Sequence, residues 1–127
     1  GFRRQWNLGS DGSLWITAPN SIEQVGCIHT CQGLELDYVG VIIGPDFAIT
    51  NGALATNPAG RSKMDRSIRG WKTLMKRDPI RASERLDRII RNTYRTLMTR
   101  GMKGCYIYCT DSAVADFFRE RMRRLDP

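Results

Sequence analysis

Between Tyr38 and Gly44 the chain reads Tyr-Val-Gly-Val-Ile-Ile-Gly, a β-branched apolar stretch in which no polar residue alternates with the apolar ones. A strand that faces water on one side alternates, so this one is expected to be covered on both faces, as in a parallel sheet layered with helices. Helices of the required kind follow. The spacing predicts them at about Asp65 to Lys76 and Ile80 to Thr99, separated by Asp78-Pro79, where a proline suits a helix start. In the longer one Ala82, Leu86, Ile89, Ile90, Thr93, Tyr94 and Leu97 recur at intervals of three and four and mark the buried face. Gly101 and Gly104 lead into a strand at Cys105 to Cys109. Thr110-Asp111-Ser112 then caps a last helix with Val114, Phe117, Phe118, Met122 and Leu125 as its core positions.

The segments ahead of Tyr38 are shorter. Leu14 to Thr17 reads as a strand, Gln24 to His29 as a second, and Thr30 to Glu35 as a compact turn or single helical turn. Residues 46–63 are rich in Gly, Asn, Ala and Pro without periodicity and are expected to form an insertion or flexible loop, the stretch most prone to disorder. Strand, turn, strand, helix, helix, strand, helix is the order of an α/β layered fold with a largely parallel sheet.

Length and composition agree with one domain over residues 1–127: 41% of the chain is apolar and 26% charged, which excludes wholesale disorder. The longest apolar run, Tyr38 to Pro45, is far short of the about 20 residues that cross a bilayer. Gly1-Phe2-Arg3-Arg4-Gln5 has neither a Met nor an apolar leader, so Gly1 is expected to be the cut end of a longer chain. Charge is divided sharply. Residues 1–60 carry two Arg against five Asp and Glu, a net −3, and residues 61–127 carry 18 Lys and Arg against eight Asp and Glu, a net +10. The second half is thus expected to meet an acidic partner, with a nucleic acid backbone or nucleotide phosphates as the usual candidates and a solvated basic surface as the plainer alternative. Arg81, Arg85, Arg88 and Arg95 form one stripe of it.

Cys27 and Cys31, and again Cys105 and Cys109, stand four apart. Four residues along a strand span about 13 Å, too far for both sulfurs of the second pair to share a zinc ion. Reduced, mostly buried thiols in a cytosolic protein are expected, with a zinc-stapled domain as the rival and no metal ligand assigned.

Ligands of open α/β sheets sit at the carboxyl ends of strands, which directs attention to two segments. Ile28-His29-Thr30-Cys31-Gln32-Gly33-Leu34-Glu35 sets imidazole, hydroxyl, amide and carboxylate groups beside a glycine. Gly33 admits a close approach of backbone N–H to phosphate and Glu35 is suited to ribose hydroxyls, unless the segment is an ordinary turn. Arg100, just before Gly101, is placed to stabilise charge on a transferring phosphate, or simply to complement a helix dipole.

Together the two segments carry a resemblance. Ile-His-Thr-Cys-Gln-Gly-Leu-Glu-Leu-Asp (Ile28 to Asp37), followed by an apolar strand, is similar to motif V of superfamily 1 helicases, and Leu-Met-Thr-Arg-Gly (Leu97 to Gly101) to motif VI. More closely, Gly26 to Glu35 and Asn92 to Tyr106 resemble a bacterial family described as Schlafen group 3-like DNA/RNA helicase domains. Motif V spans about residues 26–37 and motif VI about 92–101. From the general helicase pattern the chain departs at Cys27, where helicases usually have Thr, at Arg95, where they often have Tyr, and at Gly101, where Ala is commoner although the Schlafen-like family shares the Gly.

The resemblance implies a RecA-like, P-loop NTPase-type three-layer fold with a mainly parallel sheet, here part of a second RecA-like domain. It implies an ATP-dependent DNA or RNA helicase or translocase with ATP and Mg²⁺ held between this domain and an N-terminal P-loop domain. By analogy, His29, Thr30 and Arg95 contact nucleic acid, Gln32 and Gly33 line the ATP cleft, Glu35 meets the ribose, and Arg100 is the arginine finger. No Gly-x-x-x-x-Gly-Lys-Ser/Thr loop occurs in the 127 residues, so the chain by itself is expected neither to hydrolyse ATP nor to hold it tightly. A non-catalytic nucleic-acid-binding module on the same scaffold is the alternative, with the arginine stripe as its working surface.

Overall fold

The computed structural model describes residues 1–6, 12–63 and 65–125. Its centre is a pair of long parallel strands, β3 (Leu36–Ile43) and β6 (Gly101–Cys109), numbered after the short strands β1 (Gln5–Trp6) and β2 (Gln24–Val25) and the hairpin strands β4 (Phe47–Thr50) and β5 (Ala53–Thr56). The helices are α1 (Ile28–Cys31), α2 (Trp71–Arg77), α3 (Pro79–Met98) and α4 (Ser112–Arg123). The strands form three two-stranded sheets, β1–β2 and β3–β6 parallel and β4–β5 antiparallel.

Register along the central pair runs from Leu36 opposite Gly101 to Ile43 opposite Cys109. Between Leu36 and Tyr38 it slips, because β6 inserts one more residue than β3 there. Gly101 makes this bulge feasible: a Cβ on it would lie 2.2 Å from the Gly104 carbonyl oxygen. Lys103 pairs with Asp37 across the bulge at 3.0 Å.

One face of β3–β6 is the core. Val41 and Ile43 are buried with Phe47 of the hairpin, Ile90 and Tyr94 of α3 and Val114 of α4, while Val39, Cys105, Ile107 and Cys109 pack around them. α3 delivers Ala82, Leu86, Ile90 and Tyr94 at strict spacings of four, starts on an Asp78 cap whose carboxylate accepts from the Arg81 N–H at 3.1 Å, and has Pro79 in its first turn. Asp111 caps α4 in the same way. Of the core positions expected on α4, Val114 and Phe118 pack inward, whereas Met122 and Leu125 are exposed.

The other face of the pair is open among the described residues. Tyr38, Ile42, Tyr106 and Tyr108 are 57%, 41%, 71% and 66% exposed, so the strand read as covered on both faces is covered on one. An unalternating apolar run records that both faces are greasy, not that both are covered.

Four further expectations change. Leu14 to Thr17 belongs to a 3-10 helix, Gly12–Thr17, and not a strand; the Trp15 indole N–H donates to the Thr30 carbonyl at 3.1 Å. The second strand stops at Val25, because Cys27 turns the chain into α1. Residues 46–63 are ordered: Asn51 and Gly52 both have positive φ, 50° and 73°, the signature of a tight hairpin turn between β4 and β5, and Phe47 anchors the hairpin in the core. The first predicted helix becomes a 3-10 turn, Arg66–Ile68, followed by α2. Among the described residues no helix is long and apolar enough to cross a membrane.

Candidate functional site

The two signature segments, 66 residues apart, meet. Arg100 follows α3 and precedes β6; its backbone carbonyl accepts from the Leu36 N–H at 2.9 Å, so the residue is stitched to the start of β3. Its guanidinium donates to the Leu34 carbonyl at 3.4 Å, to Thr96 O at 3.1 Å and to the Thr99 hydroxyl at 3.4 Å. These are neutral acceptors, and among the described residues no carboxylate lies within ion-pair distance of Arg100. The charge is therefore oriented but not neutralised. Gln32, Gly33 and Glu35 lie on the exposed turn beside it, with Gly33 in the left-handed region at φ 80°.

Relative to β3 and β6 this constellation lies at the amino ends, not the carboxyl ends that general α/β geometry suggests. The reason is connectivity: each motif is the lead-in to its strand. Only for β2 does motif V stand at a carboxyl end.

α1 is a single turn. The Cys27 N–H donates to the Thr30 hydroxyl at 3.0 Å and the Cys27 thiol sulfur accepts from the Thr30 N–H, a capping box, while the Thr30 hydroxyl also donates to the Cys27 carbonyl at 3.2 Å. Thr30's side chain is therefore engaged in its own helix cap. His29 faces outward, exposed, with Nε2 3.9 Å from Asp65 Oδ1. Gly26 is required beside it, because a Cβ there would lie 2.4 Å from the Trp15 ring. Arg95 is exposed on α3, just over one turn before Arg100.

His29 and Arg100 line one cleft of about 760 Å³, which Gln32, Gly33 and Glu35 do not. In its wall stands a polar network absent from the sequence reading. Tyr94 Oη donates to Asp46 Oδ1 at 2.5 Å and accepts from the Gly44 N–H at 3.1 Å. Arg61, its side chain 7% exposed, donates to Asp46 at 3.2 Å and to Asp65 through Nε at 2.7 Å and through Nη2. The Ser67 N–H completes Asp65 at 2.8 Å. One buried guanidinium thus bridges two carboxylates that tie the end of β3 and α3 to the loop facing His29.

The ionisation shifts follow. Burial, reinforced by the Asp46 carboxylate, pushes the Tyr94 phenol well above its ordinary value. Burial alone would raise Asp65; hydrogen bonds from Ser67 and Arg61 and the Arg61 charge outweigh it and hold the carboxyl below the usual range.

Tyr94 was legible as a core position, and a buried phenol demands a partner. Asp46 and Arg61 were not legible, because both fall in the segment read as a flexible insertion. The four thiols are free and half-buried, and burial pushes those of Cys31, Cys105 and Cys109 up. Among the described residues no three His, Cys, Asp or Glu side chains gather as metal ligands.

An exposed, glycine-centred turn held against an un-neutralised arginine joins the two helicase-like segments, and the chain belongs to a helicase-type family: the model of the Schlafen group 3, DNA/RNA helicase domain matches residues 1–111. A relative in Saccharomyces cerevisiae, the uncharacterized protein YPL245W, is 30% identical over 133 residues, covering 97% of this chain. The chain spans 26% of that relative's length. No solved structure matches it.

Proposed function

We propose that this chain is the second RecA-like domain of an ATP-dependent DNA or RNA helicase or translocase. The observation that carries the reading is the meeting of Arg100 with the Gln32 to Glu35 turn at the amino ends of the paired strands, which sets a guanidinium with no carboxylate partner among the described residues beside an exposed glycine turn.

The residues present fit a nucleotide shared with a P-loop domain. Gly33 has open space where a Cβ would project, Glu35 offers an exposed carboxylate, and Arg100 has no carboxylate partner among the described residues. ATP with Mg²⁺ would supply the phosphoanhydride whose hydrolysis drives movement. Glu35 accepts hydrogen bonds from ribose hydroxyls, Gln32 and Gly33 line the cleft between the domains, and Arg100 holds a positive charge where negative charge develops. His29, exposed above Asp65, and Arg95 face the nucleic acid. Thr30 acts indirectly, by fixing the turn that presents His29. The free thiols suit a reducing cytosolic setting.

The test is nucleic-acid-stimulated ATP turnover of the full-length protein. Arg100→Ala is expected to lower turnover about 10³-fold or more while nucleotide binding is partly retained. Unchanged turnover would refute the assignment. Absence of turnover in the unaltered full-length protein, with nucleic acid still bound, would select the non-catalytic binding module instead.

A further inference from the structure

We propose that the groove between α2 and α3 is a binding tract for the phosphate backbone of a nucleic acid strand, separate from the Arg100 site. It measures about 700 Å³ and is walled by Arg77 of α2 and by Arg81, Arg85 and Arg88 of α3. Spacings of four and three residues put the three α3 arginines on one face, spread over about 10 Å of helix axis. That is about the axial rise of three nucleotides in a duplex strand.

All four arginines are exposed, and among the described residues none has a carboxylate within ion-pair distance. Elsewhere on the same helix Arg91 is paired with Asp87 at 2.8 Å, whereas Arg95, outside the groove, has no ion pair among the described residues; what sets the groove apart is that four such arginines share its wall. Arg119 of α4 and Arg124 just after it are paired, with Asp116 and Glu120. The groove holds two acids, and neither cancels the tract. The Asp78 carboxylate caps α3, and Glu84 leaves four guanidinium groups facing two carboxylates.

The choice of cation favours phosphate. All four are arginine, whose planar fork engages phosphate oxygens in pairs. A protein partner would want a buried apolar anchor, and the groove offers only the flank of Leu74. From Arg85 to the end of α3 at Met98 is about 20 Å, so the tract and Arg100 occupy opposite ends of one helix. The inference takes its ligand class from the nucleic-acid reading above but needs no ATP turnover.

The experiment titrates a labelled single-stranded oligonucleotide against the full-length protein across a salt series, with thermal melting to confirm folding. Arg81→Ala/Arg85→Ala/Arg88→Ala is expected to weaken binding about tenfold and to shrink the log–log salt slope by about 2, since each phosphate contact to a single strand contributes about 0.7. The triple Lys variant keeps the charge and is expected to keep most of the slope. Turnover at saturating nucleic acid is expected to survive the triple Ala change, whereas Arg100→Ala abolishes it, so the tract and the motor can fail independently. An unchanged slope in a folded triple Ala protein would overturn the proposal. So would absence of oligonucleotide binding by the unaltered protein, or poly-glutamate binding as tightly as the oligonucleotide, which would assign the groove to an acidic protein.

Discussion

Arg61 shows how much one side chain can organise. Its guanidinium touches carboxylates from two loop segments, one of which also fixes the Tyr94 phenol, and almost none of it reaches water. Removing it leaves the buried Asp46 and the half-buried Asp65 carboxylates without the cation they share. Arg61→Ala is therefore expected to cost about 3–5 kcal/mol, and Arg61→Lys less than Ala, because a point charge keeps attraction but not the fork. The pH profile of stability follows with definite signs. Asp65 ionises below its unfolded value, so its contribution is full above that value and is lost as pH falls through the depressed folded one. Tyr94 is shifted upward, so its contribution is full below about pH 10 and is lost as pH rises beyond it. Chemical denaturation across pH should show a plateau flanked by two declines, with Tyr94→Phe flattening the alkaline one. An alkaline limb as steep in Tyr94→Phe as in the unaltered chain would sink this assignment, since the three raised thiols alone account for a shallower one. Residues of this kind resist reading from sequence, since Asp46 and Tyr94 are 48 positions apart and nothing local announces the bond.

At the scale of elements, what depended on repetition was legible. α3 declared itself through period, cap and proline, β3 through β-branched composition, and the second half of β6 through its Tyr-Ile-Tyr run. The β4–β5 hairpin did not, although Asn51-Gly52 is a strong turn signal, because Ala48, Ala53 and Ala55 dilute the short flanking strands below a recognisable pattern. The β6 bulge was invisible for another reason: only paired strands reveal that one carries an extra residue. Gly101→Ala tests that element. Its methyl group would displace the Gly104 backbone, and the expected result is a loss of about 1–3 kcal/mol in thermal or denaturant unfolding. Unchanged stability in Gly101→Ala would refute the close approach of Gly101 to the Gly104 carbonyl.

Over the whole molecule the charge split maps onto structure. The basic second half contributes α2, α3, β6 and α4, whereas the acidic first half holds the motif V turn. The candidate site was legible as two motifs, and their meeting at the amino ends of the strands was not, because a general rule about carboxyl ends does not know the connectivity. Equally unread was the bare face of the central pair, where Tyr38, Ile42, Tyr106 and Tyr108 stand in water. The isolated 127-residue chain is expected to bind an apolar fluorescent dye strongly, and Tyr106→Thr/Tyr108→Thr to reduce that signal severalfold without a cost in stability. Dye binding that is weak from the start would contradict the openness of this face.

The anchoring of Arg100 has a kinetic meaning as well. Its backbone is bonded to β3 and its guanidinium to carbonyl oxygens before any ligand arrives, so the conformational entropy of pointing that charge is surrendered during folding. An anion docking there meets a rigid receptor, and its arrival has no side-chain search to wait for.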